Sequence, residues 1–299
     1  MRIFRKDRTI THFSAYMKPV HTIELGETVI IETHDCYGGQ ITDESVLRPD
    51  IDLSVMNQST GPFYVNELKA GDVLAIDILD IELEQSGVMV MSQGLGVLGD
   101  LVDEPTTKII PVKNRQILFD DRLVFPTAPM IGVIGVAPRE GSVHCAVPGD
   151  HGGNMDTKDI GIGSKVYFPV FQDGGLFALG DLHASMGDGE MDGTGVEIGG
   201  KVKLKVTKKE GLQLIAPVVE TRDAFMFISS AKTMHAAIRR GAEIVVDHLQ
   251  RELSLEFGEA YRLLTMLCDL KISQIVNELV TVRVAVPKEL FRDRTAVVI

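Results

Sequence analysis

The 299-residue sequence contains only three cysteines, Cys36, Cys145 and Cys268, which are far apart and odd in number. This argues against a disulfide framework and against a cysteine-rich zinc site, because both need several cysteines at short, regular spacings. We therefore expect a reducing, cytoplasmic location.

Long apolar runs are also missing. No stretch approaches the ~18 uninterrupted apolar residues that a membrane-spanning helix needs. The first residues, MRIFRKDRTITHFSAYMKPV, are basic but lack the apolar segment of a signal peptide. We expect neither a membrane anchor nor an export signal.

Positive charge is scarce. The chain has 30 Lys plus Arg residues against 42 Asp plus Glu residues, a formal net charge of −12. Nucleic acids and anionic membranes are polyanions, so electrostatic repulsion would slow their encounter with such a protein. We therefore expect neither as a partner.

The residues that are present predict a globular β protein. A hydrophobic fraction of 44% with 24% charged residues is ordinary for a folded chain, and the length allows one large domain or two closely joined ones. Segments such as HTIELGETVIIETHD and VLAIDILDIEL are rich in β-branched residues, and turn signals follow every 8–15 residues. This pattern favours an antiparallel β sandwich or a barrel-like core over βαβ units.

The C-terminal region has a different pattern. SSAKTMHAAIRRGAEIVVDHLQRELS and EAYRLLTMLCDLKISQIV have helical periodicity, and VTVRVAVPKEL is typical of a final strand. We predict a β-rich catalytic core over residues 1–215 and a smaller α+β part over residues 216–299 packed on it. Alternating lysines, Lys201, Lys203 and Lys205 among them, predict a solvated edge strand.

Glycine and carboxylates concentrate in the middle of the chain. Seventeen of the 29 glycines fall between Gly132 and Gly200, and nine carboxylates between Cys145 and Gly200 face only two lysines. Glycine is favoured where the backbone turns tightly or approaches a ligand closely. The composition therefore predicts loops that converge on a site.

The first of three candidate segments is ETHDCYGGQ, residues 32–40. A strand here runs into a Gly-Gly turn and would bring His34, Asp35 and Gln40 to the end of a sheet. A plain hairpin turn with solvated polar residues explains the segment equally well.

The second segment is PGDHGGNMD, residues 148–156. The N–H groups of Gly152 and Gly153 could hold a developing oxyanion, and Asn154 adds a side-chain donor and acceptor. Asp156 is a potential ligand or base. A simple turn needs one glycine and not this density of functional groups.

The third segment, GDLHASMGDGE, residues 180–190, follows the apolar run LFAL. Asp181 and His183 are two residues apart, so on an extended backbone both side chains point to one face, as a pair of ligands for a divalent cation would. Asp188 and Glu190 repeat this spacing, which leaves one carboxylate free to act as a general base.

Nucleophilic catalysis has little support. The nucleophile-elbow pattern GxSxG is absent near the glycine-rich region. Cys145 follows His144 on an apparent strand, so the two side chains should lie on opposite faces of the sheet. A buried structural cysteine is the better interpretation of Cys145.

These segments carry a resemblance to a known family. HGGNMDTKDIGIGSKVYFPVFQDGGLFALGDLHASMGDGEMDGTGVEI, together with ETHDCYGGQI and GPFYVNELKAGDVLAIDILDIEL, closely resembles the acetamidase/formamidase family from about Ile23 to Leu290. Formamidase-like members tend to carry Trp-Thr-Gly-Gly where this chain has DCYGG, and this chain has no tryptophan. The resemblance is thus to the acetamidase-like branch.

The resemblance implies a mainly β fold with a small α+β C-terminal part. It also implies an amidase that hydrolyses short linear amides, such as acetamide and also formamide, to carboxylate and ammonia.

Our mechanistic hypothesis combines the resemblance with the residue chemistry. Asp35, Asp181 and His183, with Asp156 in reserve, are the expected metal ligands; Zn²⁺ is the preferred ion, with Ca²⁺ or Mg²⁺ as alternatives. The metal would activate a water molecule, and Glu190 would accept its proton.

The catalytic set of this hypothesis is completed by an oxyanion site. Gly152, Gly153 and Asn154 would stabilise the negative charge on the amide oxygen.

Two alternatives remain open. One is a non-enzymatic β domain with a structural Ca²⁺ site, and the other is a hydrolase of a different C–N bond, in a cyclic amide or a carbamoyl compound. His183 favours the catalytic hypothesis, because calcium prefers oxygen ligands. The apolar faces of the C-terminal helices predict a homo-oligomer, most simply a dimer.

Overall fold

The computed structural model describes residues 1–291, and most of its regular structure is strand. The first eleven strands are β1 (Arg2–Phe4), β2 (Thr9–Ile10), β3 (His12–Ser14), β4 (His21–Ile23), β5 (Thr28–Thr33), β6 (Ser59–Val65), β7 (Val73–Leu83), β8 (Ser86–Met91), β9 (Thr106–Lys113), β10 (Gln116–Leu118) and β11 (Val124–Pro126). The second eleven are β12 (Met130–Gly135), β13 (Ser142–His144), β14 (Gly152–Asn154), β15 (Lys165–Pro169), β16 (Phe177–His183), β17 (Glu197–Ile198), β18 (Gly200–Lys209), β19 (Val218–Glu220), β20 (Ala224–Ala231), β21 (Asp269–Gln274) and β22 (Val280–Pro287). The helices are α1 (Met234–Leu253) and α2 (Phe257–Leu267), with short 3₁₀ turns at Arg48–Asp50, Leu53–Val55, Gly99–Leu101 and Lys288–Phe291.

The strands form two large sheets and one small one. The first sheet has the order β1-β5-β18-β7-β15-β19-β20-β22-β21, and the second runs β11-β10-β9-β8-β17-β16-β12-β14, with β6 joining it through β16 and bringing in β2 and β4. Only the pairs β1–β5 and β4–β6 are parallel within residues 1–291. The prediction of a mainly β fold with a smaller α+β C-terminal part is confirmed.

The main core lies between the two large sheets. β5 and β18 contribute Ile31, Val202 and Leu204 from the first sheet, and β12 and β16 contribute Ile134 and Leu179 from the second. All five side chains are fully buried. Buried and more exposed residues alternate along β5 and β18 because one face of each is buried, whereas β12 and β16 are buried along their whole length.

The lysine-rich strand does not lie at an edge. β18 pairs with β5 on one side and β7 on the other, so the edge-strand prediction was wrong. Lys201 and Lys205 are exposed, while Val202 and Leu204 between them are buried. A long central strand with one solvated face shows the same alternation as an edge strand.

The two helices cover the C-terminal end of the first sheet. The Thr233 hydroxyl caps α1 by accepting a hydrogen bond from the N–H of Ala236, and Val245 and Leu249 are buried in a second core with β20 and β22. The second helix is shorter than predicted: α2 ends at Leu267, and the following residues form the edge strand β21. No helix within residues 1–291 is long and apolar enough to cross a membrane.

The predicted division near residue 215 stays a prediction. The first sheet runs across this position, because β15 pairs with β19 through Lys165–Tyr167 and Val218–Glu220. The last eight residues of the predicted 216–299 part lie outside the described residues.

Candidate active site

A cavity of about 410 Å³ opens where β16 ends. Its wall combines polar side chains from four separate parts of the chain with apolar ones such as Met56 and Leu95. The polar lining includes Asn57, Asn154, Asp181, Glu190, Glu197 and Asn277. We call this space the site cavity.

Strand β16 supplies Asp181 and His183. The backbone of Asp181 has a positive φ of 56°, so the strand is locally irregular rather than extended there. Both side chains nevertheless meet, with 3.5 Å between His183 Nε2 and Asp181 Oδ1. Asn57 supports this arrangement by donating its Nδ2–H to Asp181 Oδ2 at 2.9 Å.

The neighbouring strand β17 adds Glu197, which pairs directly with His183 across the sheet. Its Oε1 lies 3.2 Å from His183 Nε2 and accepts hydrogen bonds from the Gly195 N–H and the Thr194 hydroxyl. Asp156 Oδ1 approaches the same nitrogen at 3.9 Å. The imidazole therefore faces three buried carboxylates.

Loops after β14 and β16 supply Asp156 and Glu190, both with positive φ, 41° and 49°. Asn277, in the turn between β21 and β22, donates its Nδ2–H to Asp156 Oδ2 at 2.9 Å and to the Asn154 carbonyl at 3.1 Å. Glu190 is fixed by the turn that begins at Gly187, since its N–H donates to the Gly187 carbonyl.

Two glycines leave room for these side chains. A Cβ at Gly132 would lie 2.6 Å from both Asp156 Oδ1 and Asp181 Oδ2. A Cβ at Gly195 would lie 2.4 Å from His183 Nδ1. Real Cβ atoms essentially never approach other atoms below 3.0 Å, so any larger residue would displace the site side chains.

Burial dominates the protonation of the carboxyls. It raises the pKa of Asp156 to about 6 and that of Glu197 to about 7, and the negative charge of Asp181 adds to both shifts. Burial, together with the charge of Asp156, raises the pKa of Glu190 well above its usual range.

The two residues on β16 shift in the opposite sense. Burial works to raise the pKa of Asp181, but the adjacent positive charge of His183 holds it below its usual value. For His183, burial works to lower the pKa, and the charges of Glu197 and Asp181 overcome it and raise the pKa well above 6.5. These opposite pKa shifts favour a positively charged His183 beside an ionised Asp181 when no cation is bound.

The hydrogen bonding of this cluster is incomplete. Several buried polar atoms have no hydrogen-bond partner among the described residues: Asn154 Oδ1, Asp156 Oδ1, Asp181 Oδ1, Glu190 Oε2, Glu197 Oε2 and both His183 ring nitrogens. Buried polar atoms normally have partners, so this concentration indicates a place for a ligand.

Two sets of ligand atoms could hold a metal ion. Asp156, His183 and Glu190 form one, and Cys36, Asp181 and Glu197 form the other; the ligand atoms of each set lie within 4.8 Å of one another. Imidazole nitrogen, thiolate sulfur and carboxylate oxygen together suit Zn²⁺. The donor chemistry and the unpartnered atoms therefore fit a divalent cation.

The structure brings together Asp156, Asp181, His183 and Glu190 but not Asp35. The Asp35 carboxylate turns back on its own loop, where Oδ1 accepts hydrogen bonds from the Tyr37 and Gly39 N–H groups. It belongs to neither set of ligand atoms. The loop around Asp35 thus matches the alternative interpretation of the first segment, a plain turn.

The two consecutive glycines are required by the backbone conformation and by close packing. Gly152 and Gly153 have φ of 99° and 78°, and a Cβ on either would lie within 2.4 Å of a carbonyl oxygen. The Gly152 N–H donates to the Gly149 carbonyl, and Gly153 is paired with Ile134 in the sheet. The glycines thus allow β14 to pack closely and place Asn154 in the cavity wall.

Sequence reasoning missed Glu197, Cys36, Asn57 and Asn277. Each lies far along the chain from Asp181 and His183 or comes from a different strand or turn. A signal was present only for Glu197, as the single carboxylate in the otherwise apolar and glycine-rich segment VEIGG.

Comparison with known proteins indicates one family for this chain. The Acetamidase/Formamidase family model matches residues 6–145 and 140–293. Among solved structures, an acetamidase from Bacillus halodurans is 42% identical, covers 99% of this chain and 100% of its own, and superposes with a TM-score of 0.96. A predicted acetamidase/formamidase from Thermoanaerobacter tengcongensis is 40% identical, with 97% and 96% covered and a TM-score of 0.95.

The curated relatives are less similar in sequence. A putative formamidase from Schizosaccharomyces pombe is 29% identical over 247 residues, which is 62% of this chain and 60% of the relative. The match thus spans about three fifths of that relative's length. Since the family model matches nearly the whole sequence, the chain belongs to the Acetamidase/Formamidase family.

Proposed function

We propose that this protein is an amidase that hydrolyses short linear amides to carboxylate and ammonia. The observation that carries the proposal is the buried cluster around His183, in which Asp181, Glu190 and Glu197 line the site cavity and each has an unpartnered oxygen atom. Membership of a family with members named acetamidase and formamidase supports the same reaction class.

A divalent cation is part of the proposal. His183 Nε2 lies within 3.9 Å of an oxygen of Asp156, Asp181 and Glu197, so these four side chains are the proposed ligands. We favour Zn²⁺, because an imidazole in the set suits zinc better than calcium or magnesium. When bound, the ion would polarise the amide oxygen and lower the pKa of a water molecule.

Glu190 is the proposed general base. Its carboxyl lines the cavity, and its Oε2 has no partner among residues 1–291. A bound cation would offset the neighbouring negative charges that help to raise the pKa of Glu190, and its carboxylate would then be available to accept a proton. The same group then donates that proton to the leaving nitrogen.

Asn154 is the proposed group that orients the amide. Its Oδ1 is buried and unpartnered, so it can accept a hydrogen bond from the amide N–H of the substrate. This role replaces the oxyanion role expected for Gly152 and Gly153, because the Gly152 N–H is already bonded to Gly149.

The substrate class is tested by ammonia release from formamide, acetamide, propionamide and butyramide, with metal content measured on the same sample. We expect turnover of the short amides and decreasing kcat/KM as the acyl chain grows. Absence of ammonia from all four with metal-replete protein would contradict the proposal. Stoichiometric calcium without turnover would support a structural Ca²⁺ site instead.

We also propose a homodimer formed through α2 and β21. β21 is the end strand of the first sheet within residues 1–291, and Tyr261 and Met266 on α2 and Leu270 on β21 are 54%, 68% and 48% exposed. An open strand edge beside an apolar helix suits pairing with a second copy about a twofold axis. Light scattering should show a dimer that Leu270→Arg weakens; a monomeric wild type at micromolar concentration would contradict it.

The proposed compartment is the cytoplasm. All three cysteines are free thiols, and Cys36 and Cys145 are buried. Free thiols are typical of reducing compartments. Cell fractionation tests this proposal.

A further inference from the structure

Arg283 is a fully buried arginine on strand β22, and its side chain is 0% exposed. Its Nε–H donates to Asp159 Oδ2 at 2.5 Å, and its Nη2–H donates to Asp188 Oδ1 at 2.7 Å. Its Nη1–H groups donate to the Ile272 carbonyl at 3.1 Å and to Ser273 Oγ at 3.3 Å. One guanidinium thus bridges three segments that are distant in sequence.

Two of these segments carry acids of the buried cluster around His183. Asp188 lies two residues before Glu190, in the turn of residues 187–190, which we call the Glu190 turn. Asp159 lies three residues after Asp156. Both acids that Arg283 binds are therefore close in sequence to an acid of the site.

The third segment joins the other two. The Ser273 carbonyl accepts a hydrogen bond from the Gly189 N–H at 3.0 Å, and its hydroxyl accepts one from the Thr157 hydroxyl at 2.8 Å. The Gly189 carbonyl in turn accepts from the Ile275 N–H at 3.2 Å. Arg283 thus lies where the Glu190 turn, the Asp156 loop and strand β21 meet.

The shape of the guanidinium matters for this contact. Arginine presents donors in a rigid planar fork, while a lysine ammonium on a flexible chain cannot reach two carboxylates and a carbonyl in the same geometry. Asp188 has a second cation, Lys158, 3.3 Å from its Oδ2, but that lysine is 44% exposed. Of the two cations that contact Asp188, only Arg283 has a buried side chain.

We propose that Arg283 is a positioning residue that acts through Asp188 to fix the Glu190 turn and to hold the Glu190 carboxyl beside Asp156. The proposal rests on the proposed function for the role of Glu190. Arg283 does not line the site cavity, so its effect on hydrolysis passes through Glu190.

The kinetic test uses Arg283→Lys and Asp188→Asn, with Lys158→Met as the matched control on the same carboxylate. Both test variants should lower kcat for acetamide by ~10–100-fold, because small displacements of a catalytic group have effects of this size. Lys158→Met should change kcat less than about 3-fold, since exposed ion pairs contribute little.

Repeating these measurements in the Glu190→Gln background separates positioning from general damage. If Arg283 acts through Glu190, Arg283→Lys or Asp188→Asn should reduce the residual rate of Glu190→Gln less than about 3-fold, because residues that act as one unit are not additive. A full additional 10–100-fold loss in that background would overturn the proposal.

Amide hydrogen exchange gives a readout that does not need turnover. The peptide covering residues 186–193 should exchange faster in Asp188→Asn and Arg283→Lys than in wild type or Lys158→Met. Unchanged exchange in both variants would overturn the proposal even if acetamide is hydrolysed. If both variants exchange faster but the wild-type protein releases no ammonia from amides, the proposed function is refuted, while the conclusion that Arg283 fixes the Glu190 turn stands.

Discussion

Replacing Gly132 with alanine should damage the site without removing any of its polar side chains. Gly132 lies on β12, and its φ is not in the left-handed region, so its backbone conformation is open to alanine. The new methyl carbon would lie 2.6 Å from Asp156 Oδ1 and from Asp181 Oδ2, and 2.9 Å from the Asp181 carbonyl oxygen. Two proposed metal ligands must therefore move.

The size of the effect follows from these distances. Ordinary contacts begin at 3.4 Å, so each carboxylate oxygen has to retreat by about 0.8 Å. A displacement of about 1 Å at catalytic groups costs on the order of 10²-fold in rate, so kcat for acetamide should fall by about that factor. Overpacking of this kind costs about 1–3 kcal/mol in the free energy of unfolding.

The assay compares ammonia release, bound metal and urea unfolding for wild type, Gly132→Ala and Gly258→Ala. Gly258 is the control because its new Cβ would meet only the flexible end of Arg262, at 3.5 Å. We expect lower rate and lower metal content in Gly132→Ala alone. A folded Gly132→Ala protein with wild-type rate and metal content would refute the claim that the spacing of Asp156 and Asp181 sets activity.

Three further predictions concern single side chains. His183→Ala should lose metal as well as rate, whereas Glu190→Gln should keep its metal and lose ~10²–10⁴-fold in kcat, the usual contribution of a general base; elemental analysis beside the rate assay decides between these outcomes. Cys145→Ala should keep most activity, because burial raises the pKa of the Cys145 thiol to about 12 and leaves no thiolate nucleophile; a folded but inactive variant would contradict this. Burial lowers the pKa of His248 from 6.5 to about 4, so the unfolded state binds the proton first and stability falls as the pH drops from about 6.5 towards 4. The free energy of unfolding, measured with urea, should decrease between pH 7.5 and pH 5 by about 2 kcal/mol less in His248→Leu than in wild type. An equal decrease in both proteins would exclude His248 as the source of the acid destabilisation.

Local spacing predicted part of the site from the sequence. Asp181 and His183 lie together as their two-residue separation suggested, although the positive φ of Asp181 shows that the backbone is not regularly extended. Glu190 also lies in the site, folded back by the glycine turn that precedes it. These features depend on residues close in sequence.

The remaining features depend on contacts between distant segments. Glu197 joins His183 only because β17 pairs with β16, and Asn277 arrives from a turn that the sequence assigned to the end of a helix region. Asp35 looked equivalent to Asp181 in the sequence, but hydrogen bonds from its own loop satisfy its carboxylate. A single sequence does not specify which strands become neighbours. The presence of Glu197 and Asn277 in the site and the absence of Asp35 from it could therefore not be predicted.

Ammonia release from acetamide by wild type and Asp181→Asn, measured side by side on metal-replete protein, tests the central claim most directly. Asp181 lines the site cavity, accepts a hydrogen bond from Asn57 and faces His183, so its charge lies at the centre of the cluster. The account predicts turnover by wild type and a loss of at least ~10²-fold in the near-isosteric variant. Equal rates in the two proteins, or no ammonia from wild type, would contradict it.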